Sequence, residues 1–199
     1  MYRYVVIMLL CYAVWVALYY ATAWIGELRG PVFEPALALD ARFPVLPWTF
    51  FIYLLAYVVV LALFVIRRTA AFLNLAFTSF IVMNLAAFAL FALFPAQGPE
   101  RDFMGSDGGG IIAVVHAVDS RYNAFPSLHV ANPWLIAILS LHERRWSVLT
   151  VLLFIVAVSI SISTLLVRQH YLLDVLGGIA LSVLVSAIMF RRSISPRPW

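Results

Sequence analysis

Long apolar runs alternate with short polar stretches along most of this chain. A helix that crosses the hydrocarbon core of a bilayer needs about 20 mostly apolar residues. The fourth apolar run, at residues 128–141, is shorter than this, but the polar segment before it can continue into the same helix. We predict membrane-spanning helices at Tyr4–Ile25, Trp48–Ile66, Ala70–Phe94, Leu128–Leu141, Val148–Leu166 and Tyr171–Phe190.

Composition supports a membrane protein rather than a soluble one. Of the 199 residues, 65% are hydrophobic and 11% are charged, whereas soluble domains are about half apolar and about a quarter charged. A soluble fold of this size could not hide so much apolar surface, so lipid must be the solvent for much of the chain. We therefore predict an all-α fold: one domain over residues 1–199, built as a polytopic bundle of about six transmembrane helices.

The placement of arginine predicts the orientation in the membrane. All 13 basic residues are arginine, and cytoplasmic loops usually carry the excess of positive charge. One face of the predicted bundle carries Arg3, Arg67, Arg68, Arg144, Arg145, Arg191, Arg192 and Arg197 with a single acid, Glu143. We therefore expect both termini to be cytoplasmic in a plasma or inner membrane. The loops 26–47 and 95–127 and the turn 167–170 would then face outward.

Three ionisable residues lie at the outward ends of predicted membrane helices, where such groups are costly and usually functional: His129, His170 and Asp174. If the last helix begins near His170, Asp174 lies one turn further on the same face. The carboxylate could then accept the Nδ1 proton of the imidazole and leave Nε2 as a nucleophile. The alternative is a histidine that only satisfies a buried aspartate.

A second candidate group surrounds His129, in the sequence Phe-Pro-Ser-Leu-His at 125–129. Proline and serine are typical of a helix start, where free backbone N–H groups suit an anion. The Ser127 hydroxyl could add a donor. Three arginines on the same face have the planar fork that fits phosphate oxygens: Arg101, Arg121 and Arg168. An ordinary capping turn with a surface histidine and solvated loop charges is the alternative.

These residues resemble the type 2 phosphatidic acid phosphatase superfamily. That family carries P-S-G-H and then S-R-x5-H-x3-D at the outer ends of membrane helices, and the same spacings occur here at 126–129 and 163–174. Leu128 replaces the family glycine and Thr164 replaces the arginine. The first family motif, K-x6-R-P, is not present as such. Its nearest equivalent is the stretch 94–101, in which only the arginine, Arg101, is kept. These departures resemble the subgroup of inositol phosphorylceramide synthases, in which a basic residue stands two positions before the second histidine, here Arg168.

The resemblance implies a mechanism without metal or cofactor. His170 would attack phosphorus and form a phosphohistidine, and Asp174 would orient His170. His129 would protonate the leaving oxygen and then activate water or an acceptor hydroxyl. The phosphate oxygens would be held by the backbone near the helix start and by arginines: Ser127, Leu128, Arg168, Arg101 and Arg121. The implied partners are a lipid phosphate substrate and membrane lipids.

Several functions stay open at this stage. We favour a lipid phosphate phosphatase, with water as the acceptor, because the short outward loops offer no evident lobe for a second substrate. The alternative is a lipid phosphotransferase, which uses another lipid or polyol. A transporter would line a path across the membrane, but the polar residues cluster at one face. A zinc enzyme would use both histidines and Asp174 as ligands. The arginines form no basic stripe, so we expect no nucleic-acid partner. The oligomeric state is not set by any feature of the sequence.

Overall fold

The computed structural model of the chain describes residues 2–66, 69–100 and 119–194. These residues form helices, loops and short 3₁₀ turns, with isolated bridges but no β-strand among them. The helices are α1 (Tyr2–Arg29), α2 (Phe50–Tyr53), α3 (Leu55–Val58), α4 (Ala62–Ile66), α5 (Ala70–Leu93), α6 (Leu128–Arg144), α7 (Val148–Leu166) and α8 (Leu172–Ile194). The all-α prediction, with six helical segments, is confirmed.

The second predicted segment is the one that differs most from the sequence-based expectation. Helices α2, α3 and α4 together occupy it, but a turn at Leu54 and a 3₁₀ turn at Val59–Leu61 interrupt the helix. Three consecutive valines, at 58–60, lie at the second interruption. β-Branched residues crowd the preceding turn of a helix, which favours local tightening at this point.

Helix α6 lies at the centre of the bundle. It packs against α7 and α8 and also against α5 and the interrupted segment. Its buried residues point in all directions around the helix axis: Leu128, Val130, Ala131, Pro133, Leu135, Ile136, Ala137, Leu139 and Ser140. A helix that is buried all round belongs to the interior, so α6 carries the residues at its N-terminus into the middle of one end of the bundle.

The outer surface of the bundle is apolar. On α7, an exposed stripe at helical spacing runs through Val151, Ile155, Val158 and Ile162. Within the described residues, three helical stretches are long and apolar enough to cross a membrane: Ala71–Leu93, Val148–Leu166 and Leu172–Arg191. A water-facing surface would not carry such stripes, and they are consistent with an integral membrane protein.

Two glycines of α8 allow it to approach the start of α6 closely. A Cβ atom added at Gly178 would lie 2.5 Å from the Ser127 carbonyl oxygen, and one at Gly177 would lie 2.5 Å from the Phe125 ring. The backbone N–H of Ser127 also donates to the Asp174 carbonyl oxygen over 3.1 Å. The glycines therefore serve packing inside the bundle and fix how α8 meets the N-terminus of α6.

The loop between α1 and α2 covers this end of the bundle. The Leu46 N–H donates to the Leu166 carbonyl oxygen at the end of α7, over 2.9 Å. The buried Asp40 carboxylate accepts the Leu172 N–H at the start of α8, over 2.8 Å. The loop thus ties the ends of both helices that flank the turn 167–171.

Candidate active site

The turn between α7 and α8 closes α7 with two backbone hydrogen bonds. The Gln169 N–H donates to the Thr164 carbonyl oxygen over 3.0 Å, and the Arg168 N–H donates to that of Leu165 over 3.2 Å. This pattern is a Schellman motif, whose left-handed position is usually glycine. Here Arg168 occupies it with φ of 52°. Left-handed backbone is unfavourable for a side-chain-bearing residue, so the choice of arginine points to a use for its side chain.

Asp174 joins the helix start to His170. It lies in the first turn of α8, and its Oδ2 accepts the Tyr171 N–H over 2.8 Å, as an acid in the first turn of a helix commonly does. The same oxygen lies 3.4 Å from His170 Nδ1. Both side chains are buried. The two residues predicted to pair are therefore neighbours at ion-pair distance, although Nδ1 has no partner within hydrogen-bond geometry.

The position of His170 relative to the helix differs from the expected one. Helix α8 begins at Leu172, so His170 lies in the turn before the helix and not on its first face. The two side chains meet because the turn folds back over the helix start. The backbone N–H of His170 is held within this turn by the Thr164 carbonyl oxygen, over 3.3 Å.

His129 faces the Nε2 edge of the His170 ring, on the side away from Asp174. His129 Nδ1 lies 3.2 Å from His170 Nε2, although the two residues are 41 positions apart. His129 is in the first turn of α6, and its side chain is 17% exposed, against 6% for that of His170. The structure therefore brings together the three residues predicted to be catalytic, with His170 between the other two.

Three residues that the sequence analysis missed surround the far edge of the His129 ring. His129 Nε2 lies 2.9 Å from the Tyr53 hydroxyl and 3.1 Å from that of Tyr57. The Asp119 carboxylate accepts hydrogen bonds from both phenols and lies 3.7 Å from Nε2. The tyrosines stand four residues apart, which is helical spacing, but tyrosine is common at membrane interfaces and their spacing alone gave no signal.

The predicted anion site at the start of α6 is only partly as expected. Ser127 is the N-cap residue, but its side chain makes no capping hydrogen bond. Its buried Oγ has no hydrogen-bond partner. Leu128 lines a pocket of about 20 Å³ with both histidines and Gln169. A space of this size holds about one water molecule.

The arginines predicted to bind phosphate fall into two groups. Arg121 and Arg168 line a larger pocket of about 440 Å³, with Glu34, Glu100 and Tyr171. The histidines do not line this pocket. The guanidinium of Arg168 donates to the Phe43 carbonyl oxygen over 3.1 Å. Arg101 lies outside the described residues.

Tyr171 adds a hydroxyl to the larger pocket beside Glu34, one of the two acids that line it. Its hydroxyl donates to the Glu34 carboxylate. Burial, together with this hydrogen bond, raises the pKa of the Tyr171 phenol above its ordinary value. The phenol therefore stays protonated and neutral at physiological pH, and the pocket offers arginine, carboxylate and hydroxyl groups to a ligand.

The geometry does not fit the zinc alternative. Asp174 and His129 lie against opposite edges of the His170 ring, so a single ion could not contact all three side chains. No group of three or more histidine, cysteine or acidic side chains is placed to hold a metal ion in the part of the chain that the structure describes.

Comparison with known proteins gives one match. A family profile described as the PAP2 superfamily matches residues 34–188, a range that includes every described residue of the two-histidine site. No curated protein matches the chain significantly, and no solved structure does so.

Proposed function

This chain belongs to the PAP2 superfamily, and we propose that it is a membrane-embedded lipid phosphate phosphatase that acts without a metal ion through a phosphohistidine. The observation that carries the proposal is the order Asp174–His170–His129, with 3.4 Å and 3.2 Å between neighbouring polar atoms. This order supplies an oriented nucleophile and, at its attacking nitrogen, a second imidazole for proton transfer.

Each residue then has one task. Asp174 keeps the His170 proton on Nδ1, which leaves the Nε2 lone pair for attack on phosphorus, and the ionised carboxylate stabilises the positive ring that results. His129 gives a proton to the leaving oxygen. It later takes one from water as that water attacks the phosphohistidine. His129 Nδ1 and His170 Nε2 lie 3.2 Å apart, so a phosphoryl group that binds between them must separate the two rings.

Phosphate oxygens need donors that are already in place, since transition-state charge is best stabilised by preorganised groups. The Leu128 N–H, in the first turn of α6 next to His129, and the orphaned Ser127 hydroxyl are candidate donors, whereas the Ser127 N–H is already bonded to the Asp174 carbonyl oxygen. Arg121 and Arg168, in the adjacent pocket, would hold the part of the headgroup beyond the reacting phosphate. Arg101 stays a predicted phosphate ligand. We place the site at the outward face on the arginine distribution.

A lipid phosphotransferase is the second candidate, of the kind represented by inositol phosphorylceramide synthases. The larger pocket favours it, because an uncharged or polyol acceptor could bind between the arginines and the acids that line it. Chemistry up to the phosphohistidine would be the same, and only the attacking hydroxyl would differ.

Phosphate release from a panel of lipid phosphates, by purified protein with a chelator present, tests the proposal. We expect release by the wild type and none by His170→Ala, which should stay folded. Wild-type-like release by His170→Ala would contradict the nucleophile assignment. Headgroup exchange that depends on His170 and appears only with an acceptor lipid would instead establish the phosphotransferase.

A further inference from the structure

The edge of the His129 ring that faces away from His170 is held by a compact polar cluster, which we call the Tyr-Tyr-Asp cluster: Tyr53, Tyr57 and Asp119. The chain segments that supply it are far apart in sequence, since Tyr53 and His129 are 76 positions apart. Tyr53 is fully buried. Such a cluster is costly to desolvate unless its members satisfy one another.

We propose that the Tyr-Tyr-Asp cluster positions His129 as the proton donor of the reaction, with Asp119 as its counter-charge. The inference rests on the proposed function and extends it to three residues. They act through His129 and do not touch the reacting phosphate, so they are positioning residues.

The hydrogen bonds determine which nitrogen of His129 exchanges its proton. Both phenols donate to the Asp119 carboxylate, that of Tyr57 over 3.1 Å. Their oxygens are then acceptors toward His129 Nε2, at 2.9 Å and 3.1 Å. His129 Nε2 must therefore carry a proton throughout. The proton that is exchanged during the reaction is then the one on His129 Nδ1. Nδ1 is also the atom that faces His170.

The proton transfer then balances as follows. As His170 Nε2 forms its bond to phosphorus, the bond between phosphorus and the leaving oxygen breaks, and its electron pair goes to that oxygen. The oxygen takes the Nδ1 proton of the His129 imidazolium, which becomes a neutral imidazole that still has its Nε2 proton. Asp119 stabilises the imidazolium before this step, as Asp174 stabilises His170 after it.

Comparison of two leaving groups tests the inference. An alkyl lipid phosphate needs a proton on its leaving oxygen, but p-nitrophenyl phosphate does not. For Asp119→Asn and for the double variant Tyr53→Phe/Tyr57→Phe, we expect kcat/KM to fall by about 10²-fold on the alkyl substrate. On the nitrophenyl ester we expect it to change by no more than about threefold, since proton donation contributes little there.

The controls match each substitution. Tyr20→Phe changes an exposed tyrosine of α1, and Glu143→Gln removes an acid at the other end of the bundle. Both should keep wild-type kcat/KM on both substrates. Asp119→Asn introduced into His129→Ala should add no further loss, because residues that act through one group are not additive.

Equal losses on the two substrates, or a full additional loss in the His129→Ala background, would overturn the inference alone and make the cluster merely structural. Unchanged kcat/KM on the alkyl substrate would also overturn it. Absence of any His170-dependent release by the wild type would overturn the proposed function and this inference with it.

Discussion

At the scale of the residue, the His170 ring is held on both edges by groups of different character. Nδ1 lies near a fully buried carboxylate, and Nε2 faces a second imidazole. An imidazole flanked in this way has a fixed orientation and, in our proposal, a fixed tautomer. Substitution of each of the two acids that bond to the start of α8, one in the helix and one in the loop above it, separates their catalytic and structural contributions.

Replacing Asp174 with Asn should reduce turnover by about 10³- to 10⁴-fold, because the amide cannot stabilise the charged His170 ring or fix its tautomer. Asp40→Asn is the matched control. Asp40 holds the same helix start through the Leu172 N–H, and its other carboxylate oxygen accepts the Leu37 N–H and not a group of His170. We expect it to lose far less activity. Similar, small losses in the two variants would make Asp174 a structural residue.

Sequence offsets were enough to predict which three side chains meet at the candidate site but not what surrounds them. His170 and Asp174 are close in the chain, so local spacing sets their contact, and the helix-start pattern marks His129. The Tyr-Tyr-Asp cluster depends on how the interrupted segment packs beside α6, which no local pattern encodes. Arg168 lines the larger pocket and not the one beside the histidines, and residue spacing does not predict the left-handed backbone at that position.

At the scale of the element, the contact between α6 and α8 controls the site, because His129 and Asp174 stand at the N-termini of these two helices. The glycine pair of α8 makes that contact possible. The apolar runs predicted both helices well, but they missed the breaks in the second segment, since a 3₁₀ turn of three residues is too short to change the hydrophobic pattern.

Gly178→Ala should lower the thermal stability of the purified protein more than Gly177→Ala. The new methyl group of Gly178→Ala meets the Ser127 backbone carbonyl, which cannot move without shifting α6. The new methyl group of Gly177→Ala meets the outer edge of the Phe125 ring, which can turn aside. Val183→Ala, on an exposed position of the same helix, is the control in the thermal melt. The reverse order would show that α6 and α8 are less closely fixed than we describe.

At the scale of the whole molecule, apolar stripes face outward and the candidate site lies at one end of the bundle. This arrangement suits a lipid substrate whose tails stay in the membrane while its phosphate reaches the bundle end. The positive-inside pattern predicts which side that end faces, and this stays a prediction because charge placement alone supports it.

Thiol labelling of intact cells tests the orientation. Cys11 is the only cysteine of the chain, so Cys11→Ser gives a clean background. A membrane-impermeant maleimide should label Leu37→Cys, in the loop over the site, and should reach Trp146→Cys only after the cells are permeabilised. Both positions are exposed. The opposite pattern would reverse the orientation and place the site on the cytoplasmic side.

The most direct measurement traps the covalent intermediate. His129→Ala should still accept a phosphoryl group from radiolabelled p-nitrophenyl phosphate, since that leaving group needs no proton, but should hydrolyse the intermediate slowly. We predict a base-stable, acid-labile label on the peptide that contains His170, and no label in His129→Ala/His170→Ala. The account would be contradicted if the wild type released phosphate but His129→Ala carried no label. A label on a residue other than His170 would contradict it as well.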